Sequence, residues 1–125
     1  MGYSVTGLMA HNIMGIPMAG SDICGFIGDT TPELCARWYM LGAFYTWSRN
    51  HNNWGQIPQE PYVFAKDVYE TEISYTDIIK KAMYNKFHLI RYYYSELMQV
   101  HMNGGSFIRP LYFDFDSDPN TFTAS

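Results

Sequence analysis

The sequence predicts an α/β fold, and three observations in its first half carry that reading. A short apolar run from Ile16 to Gly20 reads as a strand that stops at the polar pair Ser21 and Asp22. A helix must begin after Thr31, because Thr31 is a good N-cap, Pro32 suits the first helical position and Glu33 follows it. A second run from Ala43 to Trp47 holds the strand-forming residues Phe44, Tyr45, Thr46 and Trp47. Strand, crossover helix and parallel strand make a βαβ unit. In such a unit Asp22 and His51 both lie just past the carboxyl ends of neighbouring strands.

The remaining elements follow in chain order. Over residues 4–14, Val5, Leu8, Met9 and Ile13 recur at near-helical spacing, and Gly15 can stop the helix they predict. His11 near its end suits a solvated partner of the helix dipole better than a ligand. Gly25 and Gly28 allow a tight loop after the first strand. The helix after Thr31 should bury a stripe of Leu34, Trp38 and Leu41 and end at Gly42.

Residues 52–70 are rich in Pro, Gly and Asn and read as a long loop. Within it, Trp54, Tyr62 and Phe64 suit substrate contact and loop anchoring equally well. From about Ser74 to Met102 the pattern is strongly helical: Ile78, Ile79, Ala82, Met83, Phe87 and Ile90 fall on one face, and Lys80, Lys81 and Lys86 occupy the other. Ser74 can cap this helix, Gly104 and Gly105 can end it, and core packing is its expected role. Ser106 to Phe115 reads as a strand that Pro110 pushes towards an edge or a bulge.

Composition excludes several function classes. A net charge of −4 on 125 residues argues against nucleic acid, which calls for a basic face. Hydrophobic residues at 47% and charged residues at 16% predict a chain with much to bury rather than a disordered one. Aromatics at 18% suit both a sugar-binding surface and a densely packed core. No apolar run is long enough to cross a membrane. The start of the chain lacks the basic region of a signal peptide, and MGYSVT matches a myristoylation site only formally.

Metal ligands are not expected. Asp114, Asp116 and Asp118 imitate the opening of an EF-hand loop, but Pro119 stands where that loop needs Gly and Ser125 where it needs Glu. The chain has no C-x-x-C and no His pair at ligand spacing, so neither a zinc site nor another cofactor is predicted. Cys24 and Cys35 are its two cysteines. Eleven positions apart, they close a loop compatible with a disulfide, and they fit two reduced buried thiols as well.

Several segments together carry a resemblance. GIPMAGSDICGF, ELCARWYMLGAFY and SRNHN, followed by PQEPYVF and RPLYFDF, resemble the C-terminal part of the catalytic barrel of glycoside hydrolase family 31, which includes lysosomal and digestive α-glucosidases. The likeness to the endoplasmic-reticulum glucosidase II branch is weaker. The resemblance implies a fragment of a (β/α)8 TIM barrel, its last two βα units. Residues 1–105 would belong to the barrel, and 106–125 would form a strand leading into a C-terminal β-sandwich.

It further implies retaining hydrolysis of terminal α-linked glucose in oligosaccharides, with transglucosidase and α-xylosidase chemistry left open. Asp22, Phe26 and His51 match substrate-binding positions, with His51 and Asp22 meeting sugar hydroxyls and Phe26 forming an apolar wall. Arg49 and Asn50, from the same motif, are read as holding the loop. The resemblance also implies a Cys24–Cys35 disulfide and a lysosomal or secreted setting. The family's W-x-D-M-N-E and G-D-N type motifs, which carry the nucleophile and the acid/base, do not occur here. The expectation is a piece of an α-glucosidase that needs the rest of its barrel as partner and is inactive alone. The alternative is a non-catalytic carbohydrate-binding or interaction protein derived from the same fold.

Overall fold

The computed structural model describes residues 1–65 and 72–123. Three α-helices lie among them: α1 (Gly2–Ile13), α2 (Pro32–Gly42) and α3 (Tyr75–Asn103). Single 3-10 turns occupy Pro61–Phe64, Leu111–Phe113 and Pro119–Phe122. The end of the loop expected over 52–70 lies outside the described residues.

Each helix starts and stops for reasons visible in its residues. The Thr31 hydroxyl accepts from the Leu34 amide at 3.2 Å, satisfying one of the amides that a helix start leaves unpaired, with Pro32 in the first turn. Ser74 does the same for α3, accepting from the Asp77 amide at 3.3 Å. That helix ends at Gly104, whose φ of 75° lies in the left-handed region that glycine enters without a Cβ clash. At the end of α1, His11 Nδ1 lies 2.7 Å from the Gly7 carbonyl oxygen, a contact within its own helix.

The stripe expected on α2 is rotated. Cys35, Ala36 and Gly42 are the buried residues, Trp38 and Leu41 are partly buried, and Leu34 is exposed. The reason is the covalent tie at Cys35, which turns that edge of the helix towards the loop carrying Cys24. The core gathers there: Ile23, Cys24, Cys35, Ala36, Tyr45, Phe64 and Ile79 cluster with Leu8 of α1. α2 and the Pro61–Phe64 turn both pack on α3. Only Ile79, Ala82 and Tyr93 of α3 are buried, however. Most of its apolar face, including Phe87, Ile90, Tyr94 and Met98, is exposed.

The two expected strands are not formed among the described residues; a short parallel pairing that falls short of a ladder stands in their place. The Trp47 amide donates to the Ala19 carbonyl at 3.1 Å, and the Ile23 amide donates to the Arg49 carbonyl at 2.9 Å. An isolated parallel bridge joins Ile23 to Asn50. The run placed at 16–20 therefore pairs over 19–23, and the one placed at 43–47 pairs over 46–50. Thr46 fills part of the gap: its hydroxyl accepts from the Ala19 amide at 3.1 Å and lies 2.6 Å from the Pro17 carbonyl, to which it can donate.

Gly20 marks the tightest approach between the two segments, and a Cβ there would overlap the Trp47 carbonyl oxygen. Among the described residues no third backbone segment pairs with these two, so regular strand geometry has little to hold it. The strand expected over Ser106–Phe115 is not formed either. The described residues there bend into the Leu111–Phe113 turn, and Arg109 ties back to Asp114 at 2.9 Å and to the Ser106 carbonyl at 2.7 Å. Pro110 cannot donate to a ladder, and these local bonds replace one. Asn12 anchors the segment, its buried Oδ1 accepting from the amides of Phe107 at 3.1 Å and Ile108 at 3.0 Å.

Candidate functional site

The parallel pairing brings the sequence-predicted residues to one end of the paired segments. Asp22 precedes Ile23 and His51 follows Asn50, the two residues joined by the bridge. Asp22 accepts from Arg49 through a single oxygen: Oδ1 lies 2.6 Å from Nη2 and 3.0 Å from Nε. Phe26 and His51 stack with ring centroids 5.3 Å apart and planes inclined by 27°. Both rings are exposed. The Asn53 amide donates to the Phe26 carbonyl at 3.0 Å and ties the start of the long loop to the same place.

Beneath this surface lies the disulfide joining Cys24 and Cys35, with Cα atoms 4.1 Å apart. Cys24 has a φ of 78°, a left-handed conformation uncommon for a residue with a side chain, and the cross-link and surrounding core hold it there. The two sulfurs lie 4.0 and 3.9 Å from the Gln59 carbonyl oxygen, and with no proton to donate they make packing contacts.

Sequence reasoning missed Gln59. It is buried at 4% exposure, and its Nε2 donates to Asn50 Oδ1 at 2.7 Å and to the Ile23 carbonyl at 3.3 Å. Asn50 answers with its own Nδ2, donating to the Gln59 carbonyl at 2.7 Å and to the Tyr39 hydroxyl at 2.9 Å. Burial pushes the Tyr39 phenol up from its ordinary value; the Asn50 hydrogen bond works against that shift and the Glu60 charge adds to it. A loop glutamine carries no periodic signal. Its position between Pro58 and Pro61, which restrict the backbone around it, is the one cue the sequence offered.

A cleft of about 500 Å³ lies elsewhere, between α1 and residues 16–21, and none of Asp22, Phe26 and His51 lines it. Phe26 and His51 are exposed, and the Asp22 side chain is partly covered, 24% exposed. Trp54, 96% exposed, stands clear of the core, whereas Phe64 is fully buried and anchors the loop. Among the described residues no group of three or more His, Cys, Asp or Glu could hold a metal ion. No helix there is long and apolar enough to cross a membrane.

Residues 1–96 match the family profile described as the glycosyl hydrolases family 31 TIM-barrel domain. The chain belongs to glycoside hydrolase family 31. Among curated family 31 relatives, it is 41% identical to lysosomal alpha-glucosidase of Mus musculus over 123 residues, 98% of this chain and 12% of that one. It is 45% identical to lysosomal acid alpha-glucosidase of Tetrahymena pyriformis over 122 residues, 97% of this chain and 12% of that one. Among solved structures, the glucosidase II alpha subunit, in a form described as alpha3-Glc2-bound, aligns with a TM-score of 0.85 at 28% identity, covering 98% of this chain and 12% of that one. The chain thus spans about an eighth of the length of these relatives, and what it aligns with is part of the family 31 barrel region.

Proposed function

We propose that these residues are part of a retaining α-glucosidase and supply the substrate-binding side of its innermost subsite without the catalytic carboxyl pair. The observation that carries the reading is that Asp22 and His51 flank the bridged residues Ile23 and Asn50, with the exposed Phe26 ring stacked on that of His51. Asp22 offers a carboxylate to sugar hydroxyls, and the His51 ring supplies a nitrogen donor. Phe26 covers an apolar face of the pyranose and holds the His51 ring by stacking.

Retaining hydrolysis needs two carboxyl groups about 5 Å apart, one attacking the anomeric carbon and one acting first as acid and then as base. Asp22 is engaged by Arg49, so it is suited to binding rather than to either of those roles. The catalytic pair would come from the rest of the enzyme, and residues 1–125 alone would not hydrolyse glucosides. Residues 1–105 would complete the barrel as two of its βα units, with 19–23 and 46–50 becoming regular strands once flanked by neighbours. Residues 106–125 would lead out of the barrel towards the domain that follows. The substrate would be an α-glucoside or malto-oligosaccharide, and the setting lysosomal or secreted, where the disulfide is stable.

A structure of the full-length enzyme with an unhydrolysed glucose analogue tests this. His51 and Asp22 are expected within about 3 Å of sugar hydroxyls, with Phe26 against the ring. A sugar bound elsewhere would overturn the reading, and a full-length protein that binds sugar but never cleaves it would favour the non-catalytic alternative.

A further inference from the structure

We propose that Gln59 is a positioning residue for His51, acting through Asn50. The inference rests on the substrate-binding reading of His51 given above. Four hydrogen bonds converge around the buried Gln59: Gln59 Nε2 to Asn50 Oδ1, Gln59 Nε2 to the Ile23 carbonyl, Asn50 Nδ2 to the Gln59 carbonyl, and Asn50 Nδ2 to the Tyr39 hydroxyl. They join four places separate in sequence: Ile23 after Asp22, Tyr39 of α2, Asn50 before His51, and Gln59 in the long loop.

Asn50 is the residue immediately before His51, and its backbone takes part in the bridge to Ile23. Fixing the Asn50 side chain at both its oxygen and its nitrogen therefore fixes the direction in which the chain presents His51. The exposed Phe26–His51 stack does not supply that constraint alone, because two exposed rings 5.3 Å apart can slide together. Gln59 suits the task because it is almost fully buried and its donated bonds are short of competing water. Its carbonyl also packs against both disulfide sulfurs, so the brace stands on a cross-linked base.

The geometric consequence is specific. Removing the Gln59 amide leaves Asn50 Oδ1 and the Ile23 carbonyl without this donor, and the segment from Asn50 to Asn53 gains freedom where a sugar hydroxyl must be met. Misplacing one binding group by about 1 Å can cost on the order of a hundredfold in rate. The effect of Gln59 should accordingly vanish when His51 is already gone.

The experiment is a double-mutant cycle in the full-length α-glucosidase with an aryl α-glucoside, using Gln59→Met, His51→Ala and the pair, with turnover expressed per folded molecule. Gln59→Met should lower kcat/KM by about tenfold or more. The double variant should be no slower than His51→Ala. Additive losses, or an unchanged kcat/KM in Gln59→Met beside an impaired His51→Ala, would overturn the positioning role. No loss in His51→Ala would instead overturn the substrate-binding reading beneath it. Should Gln59→Met fold poorly, Gln59→Glu keeps the shape and supplies a second readout. Its protonated carboxyl can still donate to Asn50 Oδ1 and its carboxylate cannot, so activity relative to the parent should recover as pH falls. A pH-independent ratio would count against the proposal.

Discussion

Arg49 grips Asp22 by one oxygen. Nη2 and Nε both reach Oδ1, at 2.6 and 3.0 Å, so the pair is not the two-oxygen fork that carboxylate and guanidinium can form. Among the described residues Oδ2 takes no such bond, which leaves it oriented and available to a hydroxyl. With Arg49 half-exposed, the pair should contribute little to stability, within about 1 kcal/mol. Arg49→Ala in the full-length enzyme should therefore shift thermal unfolding only slightly while raising KM. A large loss of stability with unchanged KM would make the pair purely structural.

His51→Ala and Asp22→Asn should each lower turnover more than stability. His51 is exposed, so its truncation opens no buried cavity, and Asp22→Asn keeps the shape of the side chain. A lost hydrogen bond that strengthens in the transition state costs about 3 kcal/mol, or roughly a hundredfold in rate. Kinetics with an aryl α-glucoside, run beside thermal unfolding, would show it. Full turnover would remove both residues from the site.

The Cys24–Cys35 cross-link should be intact in protein from an oxidising compartment, and thiol counting under denaturing, non-reducing conditions should find neither thiol free. Replacing both residues should cost about 3 kcal/mol in the chain-entropy view of a short closed loop. A lower melting temperature on reduction is the matching observation.

Alkali should destabilise the protein through its buried phenols. Burial raises Tyr39, Tyr45 and Tyr93 above their ordinary value of 10.0, so the folded state holds these protons more tightly than the unfolded chain does. Their contribution is complete below about pH 10, where unfolded tyrosine titrates, and is lost as pH rises through the raised folded values. Lys86, lowered by burial, works in the opposite sense as one group against three. Denaturant titrations of the full-length enzyme should show a shallower loss above pH 10 in Tyr93→Phe, which gives up one bond to the Phe44 carbonyl.

Residues 1–125 expressed alone should self-associate and show no glucoside turnover. Phe87, Ile90, Tyr94 and Met98 expose apolar surface along α3, and among the described residues no third backbone segment pairs with 19–23 and 46–50. Size-exclusion chromatography and a hydrolysis assay decide it: a monodisperse monomer would contradict the first expectation, and specific turnover the second.

The helices were legible because their signals are local. Thr31 and Ser74 cap where the sequence placed them, and a repeating apolar pattern needs no knowledge of partners. The parallel direction of the two runs was legible but strand formation was not, since pairing is decided by distant residues: one hydrogen bond, Trp47 to Ala19, falls inside both runs, and the other, Ile23 to Arg49, lies beyond their ends. Asp22, Phe26 and His51 stood out through the resemblance. Gln59 did not, because its importance comes from where Asn50 and Ile23 meet it, which no local pattern encodes.

Gly20 gives this geometry a genetic meaning. Every missense change in a glycine codon adds a Cβ, and at this position that atom meets a main-chain oxygen, which cannot swing aside as a flexible side chain would. The whole spectrum of substitutions at Gly20 should therefore segregate as loss-of-fold alleles. Gly7, inside α1 with nothing within 4 Å of its would-be Cβ, is the counterpart. An alanine allele there should be silent or should raise stability by up to about 1 kcal/mol through helix propensity. Two glycines thirteen codons apart would thus sit at opposite ends of the tolerance scale for reasons that only the backbone distinguishes.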